Sequence, residues 1–224
     1  SGESSDPFKT IDYATSRVYG TAENPVTIHV QGTVNTTTEQ FPIITYSNIN
    51  IAGEGQSATT LDAQGTATVI EFNSVENVTI SDFTITGGSG SLGGAIMIDY
   101  SSPNITDINI EDNYGSKAGG IYMNWSDPVI TNVRVEDNYQ RGIYINGSNP
   151  VLYDCVITDN VSQGAGIGAN GGGILALYSN LTMFGGEISY NTSGTKGAGM
   201  EFRDSDGLLS GLKIHHNSGG LEET

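Results

Sequence analysis

Five carboxylates recur at equivalent places along this sequence. Glu111 and Glu136 precede Asp112 and Asp137, and Asp159 stands at the matching place of a third phrase. Repeated acids of this kind support two chemistries. An inverting glycosidase holds a pair of carboxylates about 6.5–9.5 Å apart. Asp112 and Asp159 would lie near that separation if successive phrases stack at the strand spacing of about 4.8 Å. The alternative is a hard cation such as Ca2+, held by Glu111, Asp112, Glu136, Asp137 and Asp159 through their oxygens. Because no Ca2+-loop spacing accompanies them, they read first as solvated turn carboxylates and no cofactor is called for.

A second group mixes rings with amides. Tyr122 and Tyr144 share one column, Asn124 and Asn146 the next, and Tyr100 and Trp125 stand just beyond. Aromatic faces beside amide groups suit a neutral sugar chain or the loop of a partner protein, since rings stack and amides meet hydroxyls. Tyrosine is also an ordinary exposed strand residue, so the binding reading competes with a bland one. Lys213, His215 and His216 crowd into one phrase near the end of the chain and read as surface residues rather than a catalytic group. Gly53-x-Gly55 and the run from Gly164 to Gly173 read as turns or coil-to-coil bulges, because no helix and no Lys-Ser/Thr follow to make a phosphate loop.

The element that must position these residues is a repeat. Aliphatic-x-x-Asn closes five phrases, at Asn113, Asn138, Asn160, Asn191 and Asn217, and most phrases open on glycine. Self-similarity at this period with alternation of period 2 predicts a solenoid of strands. Stacked coils bring equivalent residues into columns, so the five asparagines are expected to form a ladder at a tight turn that tolerates left-handed backbone angles. Ile96/Ile98, Ile121/Met123, Ile143/Ile145, Ile174/Ala176 and Met200/Phe202 should face inward from one wall. Ile108/Ile110, Val133/Val135, Cys155/Ile157 and Leu212/Ile214 should fill another.

Gly93-Gly94-Ala95-Ile96, Gly119-Gly120-Ile121 and Gly172-Gly173-Ile174, alternating with these Asn phrases, resemble the GGAI and FxxN repeats of the polymorphic outer-membrane-protein type. Phe is replaced by Ile or Val throughout. The resemblance covers residues 93–217 and implies a right-handed parallel β-helix of the pectate-lyase-like superfamily, an all-β fold. Polysaccharide hydrolases and lyases of that superfamily make an enzyme the runner-up reading, with Asp112, Asp137 and Asp159 its candidates. The chain lacks the Asp-Asp, Asn-Thr-Asp, Gly-His-Gly and Arg-Ile-Lys signatures of the polygalacturonase-like hydrolases. The leading expectation is a non-catalytic, adhesin-like or carbohydrate-binding module that is secreted or displayed at a cell surface.

Composition narrows the partners. With 8 Lys plus Arg against 25 Asp plus Glu, the net charge is -17, which repels nucleic acid and anionic membrane surfaces. No apolar run of about 18 residues offers membrane insertion. Cys155 falls at an inward position and reads as a small buried hydrophobe. Eight Asn-x-Ser/Thr sequons run from Asn35 to Asn191, two of them on the ladder. Residues 6–19, with Asp6 as N-cap and Pro7 at the first helical position, predict an amphipathic helix capping one end of a single domain. Irregular coils are expected over 26–92 and regular ones over 93–217. The chain ends where another glycine opening is due, and reads as part of a longer solenoid.

Overall fold

Runs of four residues in which Ile or Val alternates with polar residues become short parallel strands. Ile96–Asp99, Ile121–Asn124 and Ile143–Asn146 each bury their first and third side chains and leave the second and fourth half-exposed. A computed structural model describes residues 2–3, 5–163 and 170–219. In it these strands join Ile43–Ile44, Ile70–Asn73, Ile174–Leu177 and Met200–Arg203 in a seven-stranded parallel sheet, hereafter the front face. The register is that of the sequence columns: Ile121 pairs with Ile96 and Ile143, Tyr122 with Tyr144, and Asn124 with Asn146.

Behind the front face lie two further walls rather than one. Asn104–Glu111 runs through both, and its first half pairs with Val129–Thr131 while its second half pairs with Arg134–Glu136. The side wall buries Ile105, Ile130, Leu152 and Met183, and the back wall buries Ile110, Val135, Ile157 and Ile188. Sequence columns had assigned only the back wall. The side strands are three to five residues long and begin beside Pro103, Pro128 and Pro150, so they look like corners until their alternation is counted. Leu212 and Ile214 are less covered than their column mates, and Ile214 is exposed on the last described coil.

From the coil of Ser74 onward each coil turns three corners, and each corner holds a residue at positive φ. After the front strands these are Ser74, Tyr100, Trp125, Gly147, Tyr178 and Asp204; between side and back walls, Asp82, Asp107, Asn132, Asp154, Gly185 and Gly211; after the back wall, Gly87, Asp112, Asp137, Asp159, Tyr190 and His216. Left-handed geometry bends the chain within one residue.

The N-terminal helix is shorter than expected, Ile11–Thr15, and its N-cap is Thr10, not Asp6. Thr10 Oγ1 accepts from the Tyr13 N–H at 3.0 Å, whereas Asp6 pairs with Glu3 in an isolated antiparallel bridge. The buried Glu39 carboxylate also accepts the Ile11 N–H, tying the helix start to the first coils. Ile11 and Ala14 are buried, so the helix closes that end of the core.

The ladder forms as the repeat implied, but the left-handed residue at each of these turns is the one before the asparagine, Asp112, Asp137, Asp159, Tyr190 or His216, and not the asparagine itself. The Asn113 N–H and side-chain amide donate to Asn138 Oδ1 at 3.1 and 3.0 Å. Asn138 donates likewise to Asn160, Asn160 to Asn191, and Asn191 to Asn217. The second amide hydrogen is used within the core: Asn138 Nδ2 also reaches the Ile110 and Glu136 carbonyls. Asn160 and Asn191 are fully buried, which removes them as glycosylation acceptors in the folded chain. Replacing Asn138 by Leu leaves buried donors and acceptors unmatched above and below, so the variant should lose about 1–3 kcal/mol. Urea unfolding checks this, and an unchanged midpoint would count against a structural ladder.

Candidate functional site

A second ladder, which the sequence reading missed, shapes the corner that ends the front strands. Ser101, Ser126, Ser148, Ser179 and Ser205 follow the left-handed residue in successive coils. The Ser101 N–H donates to Ser126 Oγ at 3.1 Å, Ser126 to Ser148 at 2.9 Å, Ser148 to Ser179 at 3.1 Å and Ser179 to Ser205 at 3.0 Å. Each hydroxyl then donates to the carbonyl two residues before it. Serine hydroxyls, buried in all but the last coil, thus accept the inward N–H groups along this edge from Val75 to Ser179. The signal was present as five serines in one register.

The residues held by that ladder are unusual. Tyr100, Trp125 and Tyr178 adopt φ of 48, 48 and 52°, where bulky side chains are rare and carry strain. They are 60, 60 and 68% exposed. Aromatic side chains, strained backbone and open solvent therefore coincide three times on this corner, against once, at Tyr190, on the corner after the back wall. Beside them on the front face, Asn124 Nδ2 donates to Asp99 Oδ1 at 2.6 Å and Asn146 Nδ2 to Asn124 Oδ1 at 2.7 Å. These three half-buried groups form an outward polar line.

Tyr122 and Tyr144 lie one position further in, and their arrangement changes what they can do. Their rings stack on one another, centroids 5.5 Å apart and planes 16° from parallel. The facing surfaces are spent on each other, so these two rings offer edges and hydroxyls rather than two platforms. Burial raises both phenol pKa values, with the neighbouring Tyr144 and Asp99 adding to the rise at Tyr122 and Arg141 opposing it at Tyr144. Both hydroxyls stay protonated donors.

Arg141 is a residue the sequence reading passed over. It takes the place of a glycine in the repeated Gly-Gly pair, and only 2% of it is exposed. Its guanidinium donates to the Asn170 carbonyl and to the Lys117 carbonyl, each at 2.6 Å, and sits 5.6 Å from the Tyr144 ring centre. It joins the coil before its own to the coil after it and packs against the tyrosine pair. Gly171 and Asn170 lie within the described chain, whereas 164–169 of the glycine-rich run fall outside the described residues.

The carboxylates do not join this corner. Asp112, Asp137 and Asp159 occupy the corner after the back wall, and the front face separates them from Trp125. All three are exposed. Among the described residues no three His, Cys, Asp or Glu side chains converge to hold a metal ion. Arg134 pairs with Glu136 at 2.6 Å and Thr158 donates to Asp159 at 2.6 Å, which relieves part of the crowding. Cys155 is buried and its thiol is pushed up to about 11 by that burial, so it carries no nucleophilic thiolate.

Partial desolvation, then Glu136, Asp112 and Asp137, raises the Glu111 pKa; partial desolvation, then Asp159, Glu136 and Asp112, raises that of Asp137. A carboxyl raised on folding binds more protons in the native state than in the unfolded one. Stability therefore falls as pH rises from the ordinary carboxylate value through the raised one. Asp137→Asn should flatten that slope and raise the thermal midpoint at neutral pH. Melting curves of both proteins across the acidic range test it, and a midpoint lowered at neutral pH would mean that the charge is stabilising.

Residues 27–192 match the family model described as "Right handed beta helix region". No curated protein sequence matches the chain. Among solved structures, a pectin methylesterase in complex with a hexasaccharide is similar at 11% identity and a TM-score of 0.48, with 100% of this chain and 92% of that one covered. The A-module of a mannuronan C-5 epimerase from Azotobacter vinelandii is similar at 10% identity and a TM-score of 0.24, covering 94 and 92%. Likeness at that distance carries no argument about activity. The family match spans most of the sequence and agrees with the stacked parallel strands, the columns and the ladder. The chain belongs to the right-handed β-helix family.

Proposed function

We propose that this β-helix is a non-catalytic binding module, secreted or displayed at a cell surface, whose front corner takes a neutral glycan. The observation that carries the reading is the coincidence at Tyr100, Trp125 and Tyr178 of large rings, left-handed backbone and high exposure. Strain of this kind is retained where something other than folding selects it. Asp99, Asn124 and Asn146 supply hydrogen-bonding groups alongside, and the Tyr122 and Tyr144 hydroxyls add two donors. Stacking and hydroxyl recognition require no cofactor. The net charge of -17 disfavours polyanionic ligands.

A polysaccharide-degrading enzyme is the competing class. Its candidates Asp112, Asp137 and Asp159 are exposed and lie away from the aromatic corner, so one ligand chain stacked there would not present a bond to them. A glycan array run together with reducing-sugar and unsaturated-product assays on the same panel separates the classes, with binding and no turnover expected. Turnover that disappears in Asp112→Ala, Asp137→Ala or Asp159→Ala would replace the binding reading with the enzymatic one. For the binder, Trp125→Ala should weaken the strongest array hit by about 1–3 kcal/mol, the usual cost of removing an aromatic anchor. Unaltered affinity would remove Trp125 from the site.

A further inference from the structure

At the front corner the left-handed position is occupied by Ser74, Tyr100, Trp125, Gly147, Tyr178 and Asp204 in successive coils, with φ between 48 and 57°. Five of the six carry a side chain, so the turn itself does not require glycine. What distinguishes Gly147 is its neighbour. A Cβ built on Gly147 would lie 3.1 Å from Cδ2 and Cε3 and 3.2 Å from Cε2 of Trp125. Near-equal distances to three fused-ring atoms place that Cβ over the face of the indole. The ring leans from its own coil onto the bare backbone of the next one, covering Gly147 with one face while the residue as a whole stays 60% exposed.

We infer that Gly147 is the seat of Trp125, a positioning residue that lets the indole lie flat across two coils and present its opposite face to a ligand. The binding role assigned to that face rests on the glycan reading above, whereas the seat itself does not. With the indole laid down, Tyr100, Trp125 and Tyr178 make a strip along the solenoid axis in which the coil lacking its own aromatic residue is covered by its neighbour's ring. A Cβ at residue 147 is closer to the indole than ordinary van der Waals contact, so any side chain there makes the ring give way by a few tenths of an ångström and lifts it from its seat in the strip between Trp125 and Tyr178.

Because Trp125 is the sole tryptophan, its emission reports the seat directly. Gly147→Asn is the informative change, since Asn tolerates left-handed angles and its Cβ still meets the ring. Acrylamide quenching of Trp125 should rise in Gly147→Asn, and the thermal midpoint should fall. In the Trp125→Ala background the same replacement should leave the midpoint nearly unchanged, because the clash is gone. An equal loss in both backgrounds, or quenching that does not move, would overturn the seat. Titration with cellohexaose, mannohexaose and xylohexaose, followed by the same emission, tests the use of the exposed face. Wild type should bind one of them and Gly147→Asn should bind it about tenfold more weakly. Equal affinity in the folded variant would end the positioning role. Binding of none of the three by wild type would sink the glycan reading while the quenching and midpoint results still decide the seat.

Discussion

Every coil of this protein must turn three times, and the corner that ends the front strands and the one after the back wall leave a main-chain N–H pointing inward where water does not reach. A buried unpaired donor is costly, on the order of 1–3 kcal/mol, and a stack of coils multiplies that cost. The chain meets it by the same device at both corners. A side-chain oxygen from the following coil accepts the N–H, serine at one corner and asparagine at the other. Since each acceptor belongs to the next coil, the bond fixes vertical register as well as satisfying the donor. The aliphatic columns then close behind a spacing already set, and their contribution is non-directional.

Ladders of this kind free the residue just before them. Asp112, Asp137 and Asp159 precede the asparagines, and Tyr100, Trp125 and Tyr178 precede the serines. These are left-handed positions facing solvent, so the fold constrains their backbone and leaves their side-chain chemistry open. One corner took three acids, with Tyr190 and His216 in its last two coils, and the other took three rings. Glycine or asparagine would relieve the strain at the aromatic corner, yet three of its six members carry rings. That contrast between what the backbone prefers and what the position holds is the physical basis of the functional reading.

Much of this was legible in the sequence. The asparagine register, the front-face columns and the inward Cys155 follow from counting, because period-2 alternation and a fixed repeat have few structural solutions. The side wall escaped because Val129–Thr131 and Val151–Tyr153 are too short for alternation to stand out beside a proline. The serine ladder escaped because serine at a turn has a local explanation that hid its register. Helix length failed for a different reason: Thr10 and Glu39 both capture N–H groups at Ile11–Tyr13, and Glu39 is 27 or more residues away in sequence. Nor could the columns say how rings would lie. Tyr122 and Tyr144 are correctly adjacent, but their adjacency made them partners of one another instead of two platforms.

Under the proposed glycan reading, the orientation of those rings bears on the kind of ligand that would fit. Tyr100 and Tyr178 stand three coils apart in one column, about 14 Å at the strand spacing, and Trp125 lies between them. A single sugar ring can cover one aromatic face, so a monosaccharide would gain little from the strip. An extended chain gains each further contact without again losing its translational freedom, the same reasoning that makes linked sites bind more tightly than separate ones. The rigid seat matters most here, because a ring fixed by the backbone beneath it does not have to be ordered when the ligand arrives. A solenoid suits such a strip for a structural reason. Its coils are spaced by main-chain hydrogen bonds, so the distance between platforms is set by the fold and not by flexible loops.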